Sequence, residues 1–510
     1  MRIRDAVRQP AARVSLITFA ALVIVLTAWN LASPPGSGPD EAPHVVRAAS
    51  IARGQLVGDT DTIEGGGSRV VRAPQVIASL NQLPSCWRGH VDTSAGCMTA
   101  FVGPTALVDV RTPAGAAPPA YYLIPALGLE LKMSSGGVLL GRELSAIVCA
   151  ALISFAVGLI RLVRPRPFVL AAVFISLTPT MLFISSVVNP SALEISSALL
   201  LWAAVLLLAT EPLSSPHRKS LVWSTAIAGS IFVLSRQLSP LWLVLVAITF
   251  VVVAGWRTAW NVVRSREGIA ASIVLGLASL VAVAWLQVEA PLKSQNGLAK
   301  KMDRWTALSH ATGNVGYVYQ TAVTGIGWLD FKIPQGALVT YSIAAGALLL
   351  IGAAAARGRL RWAMLLIAIA TIVLPILIEA SQYERLGQTW QGRYSWPLAV
   401  GVLLMCGIAL DRSELATSRT MLTVTRALLW LVAFANALTF YFALRRYEVG
   451  VHGVVWFLGD IQWDPPVSAA VILVIGLVGI VGLFVFADRL VLRLFGCDER
   501  RGDRSVSASA

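Results

Sequence analysis

Charge is scarce in this 510-residue chain: Asp, Glu, Lys and Arg together make up 13% of it, about half of what a soluble domain carries. That scarcity, with 56% apolar residues, excludes an ordinary water-soluble enzyme and points to an all-α polytopic membrane protein with the lipid bilayer as its solvent. Motifs are missing too. There is no Walker A loop, no Gly-x-Ser-x-Gly elbow and no His-Glu-x-x-His, so a nucleotide-driven motor within this chain is excluded. No internal repeat, heptad seam or low-complexity tract occurs. Cysteines number five, and only Cys86 and Cys97 fall in a predicted outer loop, where their close spacing suits a disulfide in an oxidising compartment. Cys149 and Cys406 lie in apolar runs and read as core residues.

What the chain does have is a succession of apolar runs. About twelve spanning helices are expected, centred near Ala21, Cys149, Ile175, Leu201, Ala228, Val246, Leu275, Ala345, Ala368, Leu404, Val432 and Gly476. The net charge of +14 is not a nucleic-acid signal; it follows from Lys and Arg gathering in alternate loops. Arg2, Arg4 and Arg8 precede the first run. Further clusters lie at Arg161 to Arg166, His217 to Lys219, Arg257 to Arg266, Arg357 to Arg361, Arg412 and Arg419, and Arg489 to Arg501. Every second loop is therefore basic, which puts both termini in the cytoplasm and makes this a multi-pass protein of the cytoplasmic membrane. The first run is long for a signal peptide and has a weak cleavage site, so it reads as an uncleaved anchor.

This pattern divides the chain into six parts. Residues 1–32 form the N-terminus and first span, and 33–136 a long extracytoplasmic loop containing short helices. Residues 137–288 hold spans two to seven, and 289–335 a second extracytoplasmic loop. Residues 336–487 hold spans eight to twelve, and 488–510 the cytoplasmic tail.

The densest chemistry follows the first span, in Pro34-Pro35-Gly36-Ser37-Gly38-Pro39-Asp40-Glu41-Ala42-Pro43-His44. Ionisable groups beside a bilayer are costly unless they face water or a partner. The stretch from Glu41 to Arg53, closed by Gly54, reads as a short helix with Asp40 as its N-cap. Asp40, Glu41 and His44 then share one face. A carboxylate there could act as general base on a sugar hydroxyl, or the three residues could hold a divalent cation. A plain structural reading also stands, in which Asp40 caps the helix and Glu41 favours its dipole.

A second group is Gln391-Gly392-Arg393-Tyr394. Arg393 is basic on the side where basic residues are disfavoured, and its planar fork suits a phosphate; a pair with Glu379 or Glu384 is the alternative. Gly392 would let the backbone approach a ligand. Arg236 also departs from the charge pattern and has Glu194, after Asn189-Pro190-Ser191, as a possible ion-pair partner. Lys293, Lys300, Lys301 and Arg304 could steer an anionic head group. Tyr121 and Tyr122, with the many Trp residues, fit an interfacial belt, and some could stack on a sugar ring.

Taken together, Pro39-Asp40-Glu41-Ala42-Pro43-His44, Gly54-Gln55-Leu56, Pro118 to Tyr122, Ser186 to Pro190 and Gly392-Arg393-Tyr394 resemble a bacterial membrane-protein family known as domain of unknown function 2142. That family in turn resembles the GT-C glycosyltransferases, which use polyprenyl-phosphate sugars. The resemblance implies Asp40 as catalytic base supported by Glu41 or His44, with Arg393 and Tyr394 on the donor phosphate. The family's aspartate after Asn-Pro is here Ser191. The expected function is transfer of a sugar from a polyprenyl-phosphate-linked donor to a cell-envelope glycan or lipid-linked acceptor. A transporter or flippase of isoprenoid-linked glycans, or a non-enzymatic cell-wall assembly partner, is the alternative.

Overall fold

The computed structural model describes residues 10–60, 68–99, 101–163, 166–212, 214, 216–289 and 303–507. Lys293, Lys300 and Lys301 lie outside them. Helix α1 (Pro10–Leu31) leads into the short α2 (Glu41–Ala52), followed by strands β1 (Asp59–Thr60), β2 (Arg69–Pro74) and β3 (Leu107–Thr112). Then come α3 (Leu123–Leu131), α4 (Ser135–Val163), α5 (Pro167–Ile175), α6 (Pro179–Ile184), α7 (Pro190–Thr210), α8 (Arg218–Val233) and α9 (Ser239–Ala254). The remainder is α10 (Trp256–Val263), α11 (Arg266–Glu289), α12 (Arg304–Gly313), α13 (Val315–Thr324), α14 (Gln335–Ala355), α15 (Gly358–Leu386), α16 (Gly392–Asp411), α17 (Arg419–Val449) and α18 (Ala469–Ser507).

Every expected centre falls on a helix. Nine helices among the described residues are long and apolar enough to cross a membrane, or ten if the pair α9 and α10, bent by 116°, counts as one span. The shortfall from twelve has local causes. Helix α8 has only 16 residues. The third expected span is broken into α5 and α6 at Ser176-Leu177-Thr178. Pro179 cannot continue the helix, the residue before it is driven out of helical backbone, and the Thr178 hydroxyl accepts from the Met181 amide at 3.0 Å.

Such a break strips carbonyls of their helical partners, which is intolerable in hydrocarbon unless protein replaces them. Three side chains do so. Tyr341 Oη donates to the Ile175 carbonyl at 3.0 Å, Trp396 Nε1 to that of Ser176 at 3.2 Å, and Asn436 Nδ2 to that of Leu177 at 3.1 Å. The broken pair is wholly buried. One end is fixed by Asp411, whose carboxylate accepts from the Phe168 and Val169 amides at 3.1 and 2.9 Å. Close by, Arg166 pairs with Glu211 and Arg412 donates to the Thr210 carbonyl. The opposite end enters the Val187–Asn189 turn, which packs on the motif after α1.

The long first loop folds back on the helix ends. Helix α2 ends as expected: Gly54 is left-handed (φ 79°), and its amide and that of Gln55 reach the Ile51 and Ser50 carbonyls, a Schellman closure. The loop also holds a three-stranded antiparallel sheet, ordered β1-β2-β3 with Val71 opposite Val110, which the sequence reading did not foresee. Strand β2 lies against α2. Cys86 and Cys97 are joined by a disulfide with Cα atoms 6.1 Å apart. Arg446, near the end of α17, grips that closed loop by donating to the carbonyls of Thr93, Trp87 and His90 at 2.7, 2.9 and 3.1 Å.

Candidate anion site at the first loop

The motif after α1 is held in place before it presents anything. Arg142, inside α4, is fully buried and donates to the carbonyls of Asn30, Ser33 and Pro34 at 3.2, 2.6 and 2.7 Å. It also forms a two-pronged pair with Glu41, with both contacts at 2.6 Å and neither side chain exposed. The other demands on Glu41 come from the Gly38 and Val188 amides, at 3.1 and 3.0 Å. Asn189 Nδ2 donates to the Pro39 carbonyl at 2.9 Å, and Trp328 Nε1 to that of Gly36 at 2.8 Å. The expectation that Glu41 joins Asp40 as a catalytic group is therefore corrected. Its carboxylate is saturated inside the protein and cannot reach a substrate.

Asp40 behaves differently. It stands at the N-cap position of α2, but its backbone is left-handed (φ 60°, ψ 15°) and its side chain makes no capping bond. A non-glycine residue in that region costs about 1 kcal/mol, and such outliers gather at functional sites. The capping reading thus fails. The carboxylate instead accepts from Arg393 at 2.6 Å, across 353 residues of sequence, with 45% of the Asp40 side chain open and 3% of Arg393.

Arg393 opens α16 because Gly392 lets that helix approach α13. A Cβ on Gly392 would fall 2.1 Å from the Ala322 nitrogen and 2.3 Å from the Val318 carbonyl oxygen. The close approach expected there is thus to a neighbouring helix rather than to a ligand. Arg393 also donates to Tyr394 Oη at 3.0 Å. Its Nε and one terminal nitrogen are buried with no partner among the described residues, a costly condition for a charged group.

Arg236 arrives from the end of α8. Its guanidinium lies over the Tyr394 ring at 4.3 Å and that of Arg393 at 5.0 Å, so two cations share one aromatic ring. Arg236 donates to Ser191 Oγ and stands 3.7 Å from Glu194. Glu194 is buried and also accepts from Ser239 Oγ at 2.7 Å. With serine rather than a carboxylate at position 191, less of the Arg236 charge is neutralised by protein.

His44 faces the same space, with Nδ1 2.8 Å from Tyr122 Oη. Burial, then the Arg236 and Arg393 charges, push its pKa down to about 3 against the pull of Asp40, so the ring is neutral. Burial raises the Asp40 carboxyl, but the Arg393 guanidinium, by its charge and its hydrogen bond and with Arg236 behind it, outweighs burial and holds the group below its usual value. The site therefore presents two guanidiniums, one carboxylate, a neutral imidazole and two phenols. Tyr121 is not among them. Both tyrosines are fully buried; the Tyr121 hydroxyl lies 3.4 Å from Ser145 Oγ, whereas that of Tyr122 meets His44. Arg142 is the residue the sequence reading missed, and Tyr122, named there only beside Tyr121, is the tyrosine that contacts His44. The signal for Arg142 was an arginine inside an apolar run, which demands a partner.

For a cation the arrangement is poor. Among the described residues no group of three or more His, Cys, Asp or Glu stands together as a metal-ligand set. Asp40, Glu41 and His44 each turn to a different partner.

Two hollows adjoin the anion site. An apolar crevice of about 370 Å³ lies between α14, α15 and α16 beneath α13, and Gly392 is part of its wall. Ile372 and Leu349, 53% and 37% exposed, form its rim on the flank of the bundle. A polar cleft of about 480 Å³ lies beyond Trp390 and Gln391.

Residues 22–402 match the family model described as "Predicted membrane protein (DUF2142)". No curated sequence matches the chain. Two solved structures of ArnT from Cupriavidus metallidurans are similar to it at 15% identity, one in the apo state and one bound to undecaprenyl phosphate. Their TM-scores are 0.44 and 0.45, with 94% and 96% of this chain and 76% and 78% of theirs covered. The likeness is distant.

Proposed function

The chain belongs to the DUF2142 family of membrane proteins, and we propose that it is an inverting GT-C type glycosyltransferase. It moves a sugar from a polyprenyl-phosphate donor to a cell-envelope glycan or lipid-linked acceptor at the outer face of the cytoplasmic membrane. The observation that carries the reading is the meeting of Asp40 with Arg393 at 2.6 Å, beside Arg236, with Gly392 and Ser395 on either side of the Arg393–Tyr394 pair lining an apolar crevice. A carboxylate base, a cationic cradle and a channel for a hydrocarbon tail are the three things such a donor needs. The basic loops of the opposite face and the Cys86–Cys97 disulfide support the orientation.

In this mechanism the isoprenoid tail lies in the crevice, and its phosphate meets the unpartnered nitrogens of Arg393, with Arg236 alongside. The acceptor hydroxyl oxygen attacks the anomeric carbon and its proton passes to Asp40. The bond from that carbon to the phosphate oxygen breaks, and the electron pair leaves with the phosphate. A phosphodiester of one negative charge thereby becomes a monoester approaching two. Two guanidiniums bind that growing charge better than the donor's, which is where catalytic stabilisation resides.

Donor binding also awakens the base. In the unliganded site Arg393 holds Asp40 as a weak base. A phosphate charge brought within about 6 Å, at an effective dielectric of about 20, disfavours the carboxylate by about 3 kcal/mol, or about two pK units. That lifts Asp40 toward the range useful for proton abstraction. Glu41 and Arg142 form the scaffold of this base, and His44 with Tyr122 offers neutral hydrogen-bonding groups to the acceptor.

The test is turnover of polyprenyl-phosphate sugars by the purified protein in liposomes with an envelope-glycan acceptor. Asp40→Asn should abolish transfer at normal protein abundance while donor still binds. Donor binding by wild-type protein without any bond cleavage would favour a carrier of such lipids instead, and full activity of Asp40→Asn would end the assignment.

A further inference from the structure

The polar cleft beyond Trp390 has no role in the steps above. It is lined by Asn314, Tyr317, Gln388, Thr389, Trp390 and Gln391: amides, hydroxyls and aromatic rings, with no charged side chain among the described residues. Its volume of about 480 Å³ is within the range of small-molecule sites. Tyr317 is 38% exposed and offers a ring face. The Gln391 side-chain oxygen is buried without a partner, a cost that a bound hydroxyl would relieve.

The walls of the cleft are fixed rather than fluid. The Thr389 and Trp390 amides donate to Glu379 Oε1 at 3.2 and 3.4 Å. Trp390 Nε1 donates to Ser395 Oγ at 2.9 Å. The Gly392 amide donates to Thr321 Oγ1 at 2.9 Å. Glu379 is itself 2% exposed and borders the apolar crevice rather than the cleft.

Position is the stronger argument. The Trp390 ring stands edge-on to Tyr394, with centroids 5.8 Å apart, and Tyr394 carries both guanidiniums. The cleft is thus about one aromatic ring away from the phosphate cradle. A single segment, Trp390 to Tyr394, borders the polar cleft, the apolar crevice and the cationic pair in turn. An amphiphile made of a polar ring, a phosphate and a hydrocarbon tail has one part for each of these three surfaces.

We propose that this cleft is the subsite for the donor's sugar ring, and that it selects a neutral, hydroxyl-rich monosaccharide over an amino sugar or a uronic acid. The inference rests on the donor reading above. Amides and hydroxyls both donate and accept, so they match sugar hydroxyls whatever their orientation. An ammonium or carboxylate on the ring would find no charged side chain in the lining to pair with directly and would lose hydration.

The experiment measures binding to the full-length protein in nanodiscs. The probes are polyprenyl phosphate, polyprenyl-phosphate glucose and mannose, and the matching glucuronic acid and glucosamine lipids. Neutral-sugar lipids should bind more tightly than the bare lipid phosphate, and the charged-sugar lipids no more tightly than it. Gln391→Ala and Asn314→Ala should weaken neutral-sugar binding by about tenfold each, the loss of one or two hydrogen bonds, and leave the bare lipid phosphate unaffected. Gln388→Ala, at an exposed position, gives a third variant whose folding is not at issue. Unchanged sugar-lipid affinity in all three variants overturns the subsite. Preference for a charged sugar overturns the specificity. Failure of wild-type protein to bind even the bare lipid phosphate overturns the donor reading beneath it.

Discussion

Arg393→Ala is the sharpest perturbation of the proposed chemistry. Arg393 holds Asp40 at 2.6 Å and keeps two nitrogens in reserve, buried and unpartnered. A group that stabilises charge developing in a transition state contributes about 3–4 kcal/mol, or about 10²–10³-fold in rate. The variant should therefore lose about that much kcat in a liposome transfer assay. It should also change its pH dependence, and the sign follows from the groups left behind. In the wild type the Arg393 charge and hydrogen bond outweigh burial and hold the carboxyl below its usual value, so Asp40 is ionised in the unliganded site at neutral pH. Without Arg393, only the Arg236 charge is left to oppose burial, and the Asp40 pKa rises. The acidic limb of the rate profile should then move up toward neutral pH, with activity lost as pH falls. Arg393→Lys should restore part of the charge effect and little of the two-pronged phosphate contact. A variant with wild-type kcat and an unmoved acidic limb would refute the reasoning.

Other outcomes follow from the surroundings. Glu41→Gln breaks a pair in which neither side chain is exposed and should cost about 3–5 kcal/mol. The expected result is a large drop in melting temperature and abundance, with ordinary donor affinity in whatever protein folds. Gly392→Ala places a Cβ 2.1 Å from the Ala322 nitrogen. It should lower both stability and transfer by shifting the start of α16, whereas Gly346→Ala, with open space around it, should do neither. His44 has a folded-state pKa near 3 against 6.5 for the free group. Its contribution to stability is therefore full above about pH 6.5 and erodes as pH falls toward 3, and no break in rate should appear between pH 6 and 7. Melting curves of wild type and His44→Gln across that range check the first part, and a rate profile the second.

The helices and the acidic motif were legible in the sequence because their signals are local. Hydropathy marks a span without reference to any other, and Pro39-Asp40-Glu41 announces itself by its place after the first one. Arg393 and Arg236 stood out as arginines on the face where arginine is rare, and the structure brings both to one ring, that of Tyr394. What could not be read depends on distance or direction. Glu41 resembles Asp40 in sequence, and only Arg142, 101 residues away, reveals that one carboxylate is structural. Tyr121 and Tyr122 are adjacent in the turn ahead of α3, where their hydroxyls go to different partners, Ser145 and His44, so composition cannot choose between them. The sheet escaped notice because β2 and β3 are separated by more than thirty residues and carry charged side chains.

The broken span has a consequence for biosynthesis. The three carbonyls that lose their helical partners at its break are covered by donors that lie 166, 220 and 259 residues further along the chain. A ribosome that has made α5 and α6 has not yet made Tyr341, Trp396 or Asn436. Until those arrive, this segment has no dry resting place in lipid. It must wait at the insertion machinery or linger near water, and enter its final position only when the last third of the protein closes around it.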